Sequence, residues 1–481
     1  MQDDRNNKKI TQRLGHHRFS RSLVAAGMAS VLLASTSHTQ PCGHHNTIQL
    51  VPQDGEAFDE FGFAVSVTND TAVIGVPWDD DNGTDSGSAY IYRFDGAVWV
   101  EEANLLPTDG AVDDRFGLSV SVSGNTVVVG APTDDDNGTR SGSAYVFRHD
   151  GEKWAQQDKL LPDDAEDGDV FGGSVCISGD TIVIGAVGDD DNGLNSGSAY
   201  VYRYDGAKWT QQAKLLPDDG KAVAVFGHSV SVSGETVLIG ARFDGDNSTA
   251  FGAAYVYHYD GTLWVQQAKL TASDRARRDN FGHSVSISGN TAVIGARGDD
   301  DNGTDSGSAY IFRFDGTKWA EEAKLVPTDG ANGDQFGSAV SISDHIAVIA
   351  AETDENGFNA GSAYVFRFDG TQWIEETKLL PADGSAGDLF GSSVSISANT
   401  VLIGVKLDNN NEPDSGSANV YNLCRPCSPD VNGDGKLDLT DFDAWIAAYN
   451  TATPECDQNG DGLCTPTDFT AWIANFNAGC G

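Results

Sequence analysis

Cations are scarce in this chain: 30 lysines and arginines stand against 71 aspartates and glutamates over 481 residues, a formal net charge of -41. Such a surface repels polyanions, which removes nucleic acid from the partners to consider. Long apolar runs are missing too. The only apolar stretch of note lies near the N-terminus and is short, so no membrane span is expected in the mature chain. No pair of acids stands out from the acidic background, and no zinc-type histidine cluster or Ser/His/Asp constellation is visible, so the sequence offers no catalytic group. Cysteines number seven.

The N-terminal stretch explains how those cysteines are to be read. A basic region (Arg5, Lys8, Lys9, Arg13, Arg18, Arg21) precedes an apolar run from Leu23 to Ala34. Residues 1–40 therefore read as an export signal cleaved between Ala34 and Gln40, which sends the protein to the cell surface or beyond. In an exported chain seven cysteines suggest three disulfides and one spare thiol. Cys176 is the spare, because it replaces a repeated serine. The candidates for pairing are Cys42, Cys424, Cys427, Cys456, Cys464 and Cys480.

What the chain has in abundance is repetition. A Phe-Gly pair begins at Phe61, Phe116, Phe171, Phe226, Phe281, Phe336 and Phe390, spaced by 55 residues and, in the last interval, 54. Each unit holds four strand signals, shown by the second. Leu118 to Ser123 alternates apolar and small residues. A Gly124-Asn125 turn leads to the apolar run Thr126 to Gly130, and Gly142 to Arg148 ends at an Asp150-Gly151 hairpin signal before a strand containing Trp154 and Leu160. Seven such units predict an all-β propeller of seven four-stranded blades over residues 44–423. The serines of the first strand are expected to serve blade packing.

Unit seven stops after its third strand, whereas IQLVPQDG (Ile48 to Gly55) matches the fourth-strand segment of the other units. The N-terminal strand is therefore expected to complete blade seven and remove the open sheet edge. Shifting by the repeat places Cys42 and Cys424 across the missing hairpin turn, where a disulfide would lock the ring; Cys427 is near enough to compete. Cys456 with Cys464 would clamp a loop in the tail.

The Phe-Gly start, Gly130-Ala131-Pro132 and the Asp-rich segment after it resemble FG-GAP repeats, the units of the integrin α propeller head. That resemblance implies a recognition platform and covers roughly residues 44–423. The acid cluster differs in place from the integrin metal loop, lying between strands two and three, so integrin ligands do not transfer by position.

Those acid loops read DDDNG from Asp79, Asp134, Asp189 and Asp299. Alternate acids (Asp79 and Asp81, Asp134 and Asp136, Asp189 and Asp191, Asp299 and Asp301) either offer oxygens to Ca²⁺ or cap their own backbone in Asx turns. A second departure from uniformity lies in units four and five. His228 and His283 follow the Phe-Gly pair there, Arg242 and Arg297 replace Pro77 and Pro132 of the first two units, and Arg275, Arg277 and Arg278 join the two blades. This cationic spot is either a docking point for an anionic ligand or drift at exposed positions.

After a linker at 424–429 the period changes, and residues 430–481 hold two twelve-residue metal-loop patterns. The first offers Asp430, Asn432, Asp434, Asp438 and Asp441 with the carbonyl of Lys436; the second offers Asp457, Asn459, Asp461, Thr465 and Asp468 with the carbonyl of Leu463. Ca²⁺ is the expected ion. Each loop feeds a short helix, with Phe442, Trp445, Ile446 and Tyr449 in one and Phe469, Trp472, Ile473 and Phe476 in the other, so a small all-α domain of two loop-helix units is expected.

This duplicated loop-helix resembles a type I dockerin, and its Cys-flanked end resembles the GC-type dockerin-like modules. The resemblance implies attachment to a cohesin-like or other anchor protein of the envelope. The functions in view are a surface binding or adhesion protein with a protein or glycan ligand on the propeller, a component of extracellular polysaccharide degradation, or a structural part of the envelope.

Overall fold

The structure is a computed structural model that describes residues 47–245, 250–354, 359–381, 384–409, 412–423 and 439–451. The expected export signal and linker, the six cysteines expected to pair and every predicted tail ligand except Asp441 lie outside these residues.

Residues His45–Leu423 form one compact unit. It contains seven antiparallel sheets of four strands each, and in six of them the strands follow in chain order. The first strand of every unit lies against the first strands of the two neighbouring units, so these seven strands ring the axis and the fourth strands lie outermost. In blade two the strands are Ser119–Ser123, Thr126–Ala131, Ser143–His149 and Trp154–Leu160. The third begins one residue later than its sequence pattern suggests. Gly142, at φ +81°, leaves that ladder to bridge Phe171 of the next blade.

Ring closure follows the repeat phase. Thr47–Leu50 pairs antiparallel with Ser417–Asn422 in the register Ile48 to Val420, and supplies the outer strand of blade seven. Phe61 bridges Gly416, as Phe171, Phe226, Phe281, Phe336 and Phe390 each bridge a glycine of the preceding blade.

The Phe-Gly pair is explained by the gap between blades. Phe116 is fully buried and meets Tyr145 edge-on, with ring centres 5.4 Å apart. Gly117 has φ +97°, and a Cβ there would stand 2.2 Å from the Ser88 carbonyl oxygen of blade one. A large ring fills the core and the residue beside it lets two backbones touch.

The small residues of the first strands do more than leave space. The hydroxyl of Ser121 accepts the amide N–H of Ile177 in the next blade at 3.1 Å, and Ser66, Ser231, Ser286, Ser341 and Ser395 each do the same one blade on. Cys176 takes the serine's place in blade three, with Sγ 3.4 Å from the Val232 nitrogen. Its thiol is free, as expected of the spare cysteine. Seven side chains thus link seven inner strands into a closed ring of hydrogen bonds.

The second described body is a single helix, Leu439–Thr451. Asp441 in its first turn is fully buried, Phe442 and Trp445 are largely so, and Ile446 is half-buried. This is the first helix of the two expected. Among the described residues no helix is long and apolar enough to cross a membrane.

Candidate functional site

Strand polarity divides the ring into two unlike faces. The tight turns, such as Gly124-Asn125 and Asp150-Gly151, lie at one end of the strands; the acid loops, the connections between blades and the residues beside each Phe-Gly pair lie at the other. All sequence-predicted propeller sites fall on this second, loop-bearing face.

The acid loops are Asx turns with a buried anchor. Asp134 Oδ1 accepts the amide of Asp136 at 2.9 Å, and Oδ2 accepts the hydroxyls of Ser143 at 2.9 Å and Tyr145 at 2.8 Å. Equivalent turns form at Asp79, Asp189 and Asp299. The outer strand then adds a cation. Lys159 Nζ stands 2.8 Å from Asp134, 2.5 Å from Asp136 and 2.9 Å from Asp109 of the preceding connection. Lys214 joins Asp164, Asp189 and Asp191 in the same way, and Lys324 joins Asp274, Asp299 and Asp301. Lys269 and Lys378 repeat the device with two carboxylates each.

Among the described residues the one group of three carboxylates close enough to share a metal is Asp274, Asp299 and Asp301, with oxygens within 4.8 Å of one another. The Lys324 ammonium sits among these oxygens. Burial pushes the Asp134 carboxyl up, but Lys159, the Asp136 amide and Tyr145 more than reverse this and hold it below the usual range. Blade one differs: Asn104 stands in the lysine's place, its amide donating to Asp81 at 3.1 Å while Asp54 and Asp79 share the Tyr90 hydroxyl. Of the predicted loop pairs, only Asp79 and Asp81 lack the lysine.

Sequence reasoning missed this lysine. Its signal was present, since Lys159, Lys214, Lys269 and Lys324 recur every 55 residues and Lys378 follows at 54.

The predicted cationic patch does assemble. His228 immediately precedes the inner strand of blade four, Ser229–Ser233, and His283 lies near the start of that of blade five, Phe281–Ser288; their rings lie 5.0 Å apart. Arg242 follows the second strand of blade four, with NH1 3.5 Å from His283 Nδ1 across the blade boundary and its guanidinium 4.6 Å from the Phe243 ring centre. Arg297 occupies the same position in blade five. Burial, then the positive charge of Arg242 and Arg297, brings His228 down to about 3, and burial, Arg297, His228 and Arg242 bring His283 to about 2. Both imidazoles are neutral at ordinary pH. Elsewhere around this mouth charge is paired: Lys406 meets Glu352 at 2.7 Å and covers Phe63, which packs against Trp78.

A closed ring of seven four-stranded blades defines a seven-bladed β-propeller, a fold of the binding or adhesion type. The FG-GAP repeat model matches residues 45–92, 99–147, 154–202, 209–257, 264–312, 319–366 and 373–421, and the chain belongs to the FG-GAP repeat family. A comparison with curated proteins returns no match.

Proposed function

We propose that this is a secreted or cell-surface, non-enzymatic binding or adhesion protein. Its propeller is the recognition platform, and residues 430–481 are a dockerin-like module for calcium-dependent attachment to an anchor of the envelope. The observation that carries the reading is the contrast within the ring. Seven near-identical blades keep their packing residues, while the side chains around one channel mouth change from blade to blade: Phe63 and Pro77, Leu118 and Pro132, His228 and Arg242, His283 and Arg297, Ser338 and Glu352. Variation confined to loop positions on a fixed scaffold is how binding surfaces are made.

Calcium belongs first to the tail. Asp441 fits the closing ligand position, being a buried carboxylate in the first turn of a helix, where a metal or the helix N-terminus would offset its charge. With it would act Asp430, Asn432, Asp434, Lys436 and Asp438, and in the second loop Asp457, Asn459, Asp461, Leu463, Thr465 and Asp468. Among the blade loops the reading retains only Asp79 and Asp81 as calcium candidates, since lysine serves the others. The dockerin-like tail also favours a second reading, in which the protein is a non-catalytic component of extracellular polysaccharide degradation.

The test is attachment of the full chain to insoluble cell-envelope material with and without chelator. Retention in calcium, release by chelator and loss on Asp430→Asn with Asp457→Asn are expected. Retention unchanged by chelator would remove the attachment role from the tail, and turnover of a polysaccharide by the intact chain would replace binding with catalysis.

A further inference from the structure

The mouth between blades four and five brings two arginines and two histidines together. Four arginines of the propeller have acidic partners: Arg93 meets Glu102 and Asp70, Arg203 meets Glu235, Arg313 meets Glu322, and Arg367 meets Glu376. Arg242 and Arg297 have no carboxylate within salt-bridge distance among the described residues, in a chain with more than twice as many acids as bases. They also stand close enough that the charge of Arg297, after burial, disfavours the charged form of Arg242. Arg242 is half-buried, and its Nε–H is fully covered and has no hydrogen-bond partner. A partly desolvated pair of like charges with an unsatisfied donor is unfavourable unless something anionic completes it.

The histidines fit the same completion. A guanidinium can only donate, so at 3.5 Å from Arg242 NH1 the Nδ1 of His283 is the acceptor and the ring proton sits on Nε2. The cluster therefore presents guanidinium N–H groups and an imidazole N–H, with no acceptor oxygen of its own.

We propose that Arg242, Arg297, His228 and His283 form a binding site for a single carboxylate group at the channel mouth. This deepens the recognition-platform reading and rests on it. Planar guanidinium groups match the two oxygens of a carboxylate, and the neutral imidazoles add N–H donors without adding repulsion. The exposed aromatic ring of Phe243, stacked on Arg242, gives an uncharged ligand body a surface to lie on. Exposed acids on the same face, among them Asp80, Asp135, Asp190 and Asp300, repel a ligand with many negative charges. The site thus selects one carboxylate on an otherwise uncharged ligand and rejects polyanions.

Calorimetric titration of the full chain at constant ionic strength tests this, with methyl glucuronoside, N-acetylglutamate α-amide and, as polyanion control, polyglutamate. Saturable binding of a monocarboxylate at about millimolar Kd is the expected strength for so small a ligand. The glucuronoside and the glutamate amide separate a sugar-borne from a peptide-borne carboxylate by their relative affinity. Arg242→Gln with Arg297→Gln is expected to weaken binding at least tenfold at unchanged melting temperature, and Arg242→Lys with Arg297→Lys to restore only part of it. Absence of saturable binding by either monocarboxylate, binding unaffected by the double Gln variant, or tighter binding of polyglutamate would overturn the proposal. Envelope attachment measured on the same samples separates the two readings: attachment that persists while neither monocarboxylate binds sinks the carboxylate site alone.

Discussion

Replacing Lys159 with methionine removes an ammonium group and leaves its hydrocarbon stem in place. In the native protein that ammonium faces Asp134, whose side chain is only 4% exposed, and Asp136 and Asp109, whose side chains are 59% and 41% exposed. The two exposed contacts are screened by water and contribute little. The Asp134 contact decides the outcome. Without Lys159 its carboxylate keeps only the Ser143, Tyr145 and Asp136 donors in a buried site. Breaking a buried pair from one side costs about 3–5 kcal/mol, and the partial exposure of Lys159 lowers the expectation to about 2–4 kcal/mol at pH 7. The sign with pH follows from Asp134. Its native carboxyl lies below the usual range, so it contributes stability that is present above the unfolded value near 4 and lost as pH falls through the native value. In the variant the Asp136 amide and Tyr145 still oppose burial but the lysine no longer does, so the carboxyl rises and protonation relieves part of the penalty. Urea unfolding followed by near-UV circular dichroism should show a deficit of about 2–4 kcal/mol at pH 7 that is smaller at pH 3. A deficit below about 0.5 kcal/mol at pH 7, or one equal at both pH values, would refute the reasoning.

Three further outcomes follow from the same contacts. Asn104→Lys, which gives blade one the lysine of the other blades, should raise the melting temperature and abolish any stabilisation that calcium confers through Asp79 and Asp81, read by calorimetric scanning with and without calcium. Burial pushes Asp59, Asp114, Asp169 and Asp279 up to about 6, against backbone donors and with neighbouring acids adding to the rise. Groups raised in the folded state lend stability that is full below about pH 4 and lost as pH climbs through 6. Asp114→Asn, which keeps an oxygen for the Ala111 amide now 2.6 Å away, should therefore stabilise by on the order of 1 kcal/mol at pH 8 and flatten the slope between pH 5 and 7 in urea midpoints. Ser121→Ala strands the Ile177 amide between blades and should cost about 1–2 kcal/mol, whereas Cys176→Ser, which restores the repeat, should be neutral or mildly stabilising by the same measurement.

The ring was legible because its signals are local and repeated. One Phe-Gly pair marks each blade, and Ile48 to Leu50 declares itself as a fourth strand by likeness to segments such as Ala103 to Leu105. The contacts that join blades were less so. Ser121 was readable as a packing residue, but its hydrogen bond reaches a residue 56 positions away, an offset set by the register of neighbouring inner strands. The lysine clamp escaped for a related reason: Lys159 collects Asp134 and Asp136 from its own blade and Asp109 from the connection before it, so no window along the chain contains the set. Acid cadence alone is compatible with a metal loop and with an Asx turn, and the cation that bears on the choice is on another strand. The mouth was legible in part. Departure from the repeat picked out His228, Arg242, His283 and Arg297, while the meeting of Arg242 with His283 rather than with the histidine of its own blade depends on how blades abut.

The central claim is that recognition belongs to the irregular mouth rather than to the repeated faces. Binding of the full chain to a mixed array of glycans and peptides, compared with a variant that takes blade two's residues at this mouth (His228→Leu, Arg242→Pro, His283→Leu, Arg297→Pro), tests it most directly, because blade two already carries Leu118 and Pro132 on the same backbone. The account predicts that ligands of the wild type are lost or weakened at least tenfold at an unchanged melting temperature; the same ligands bound equally well by the variant would contradict it.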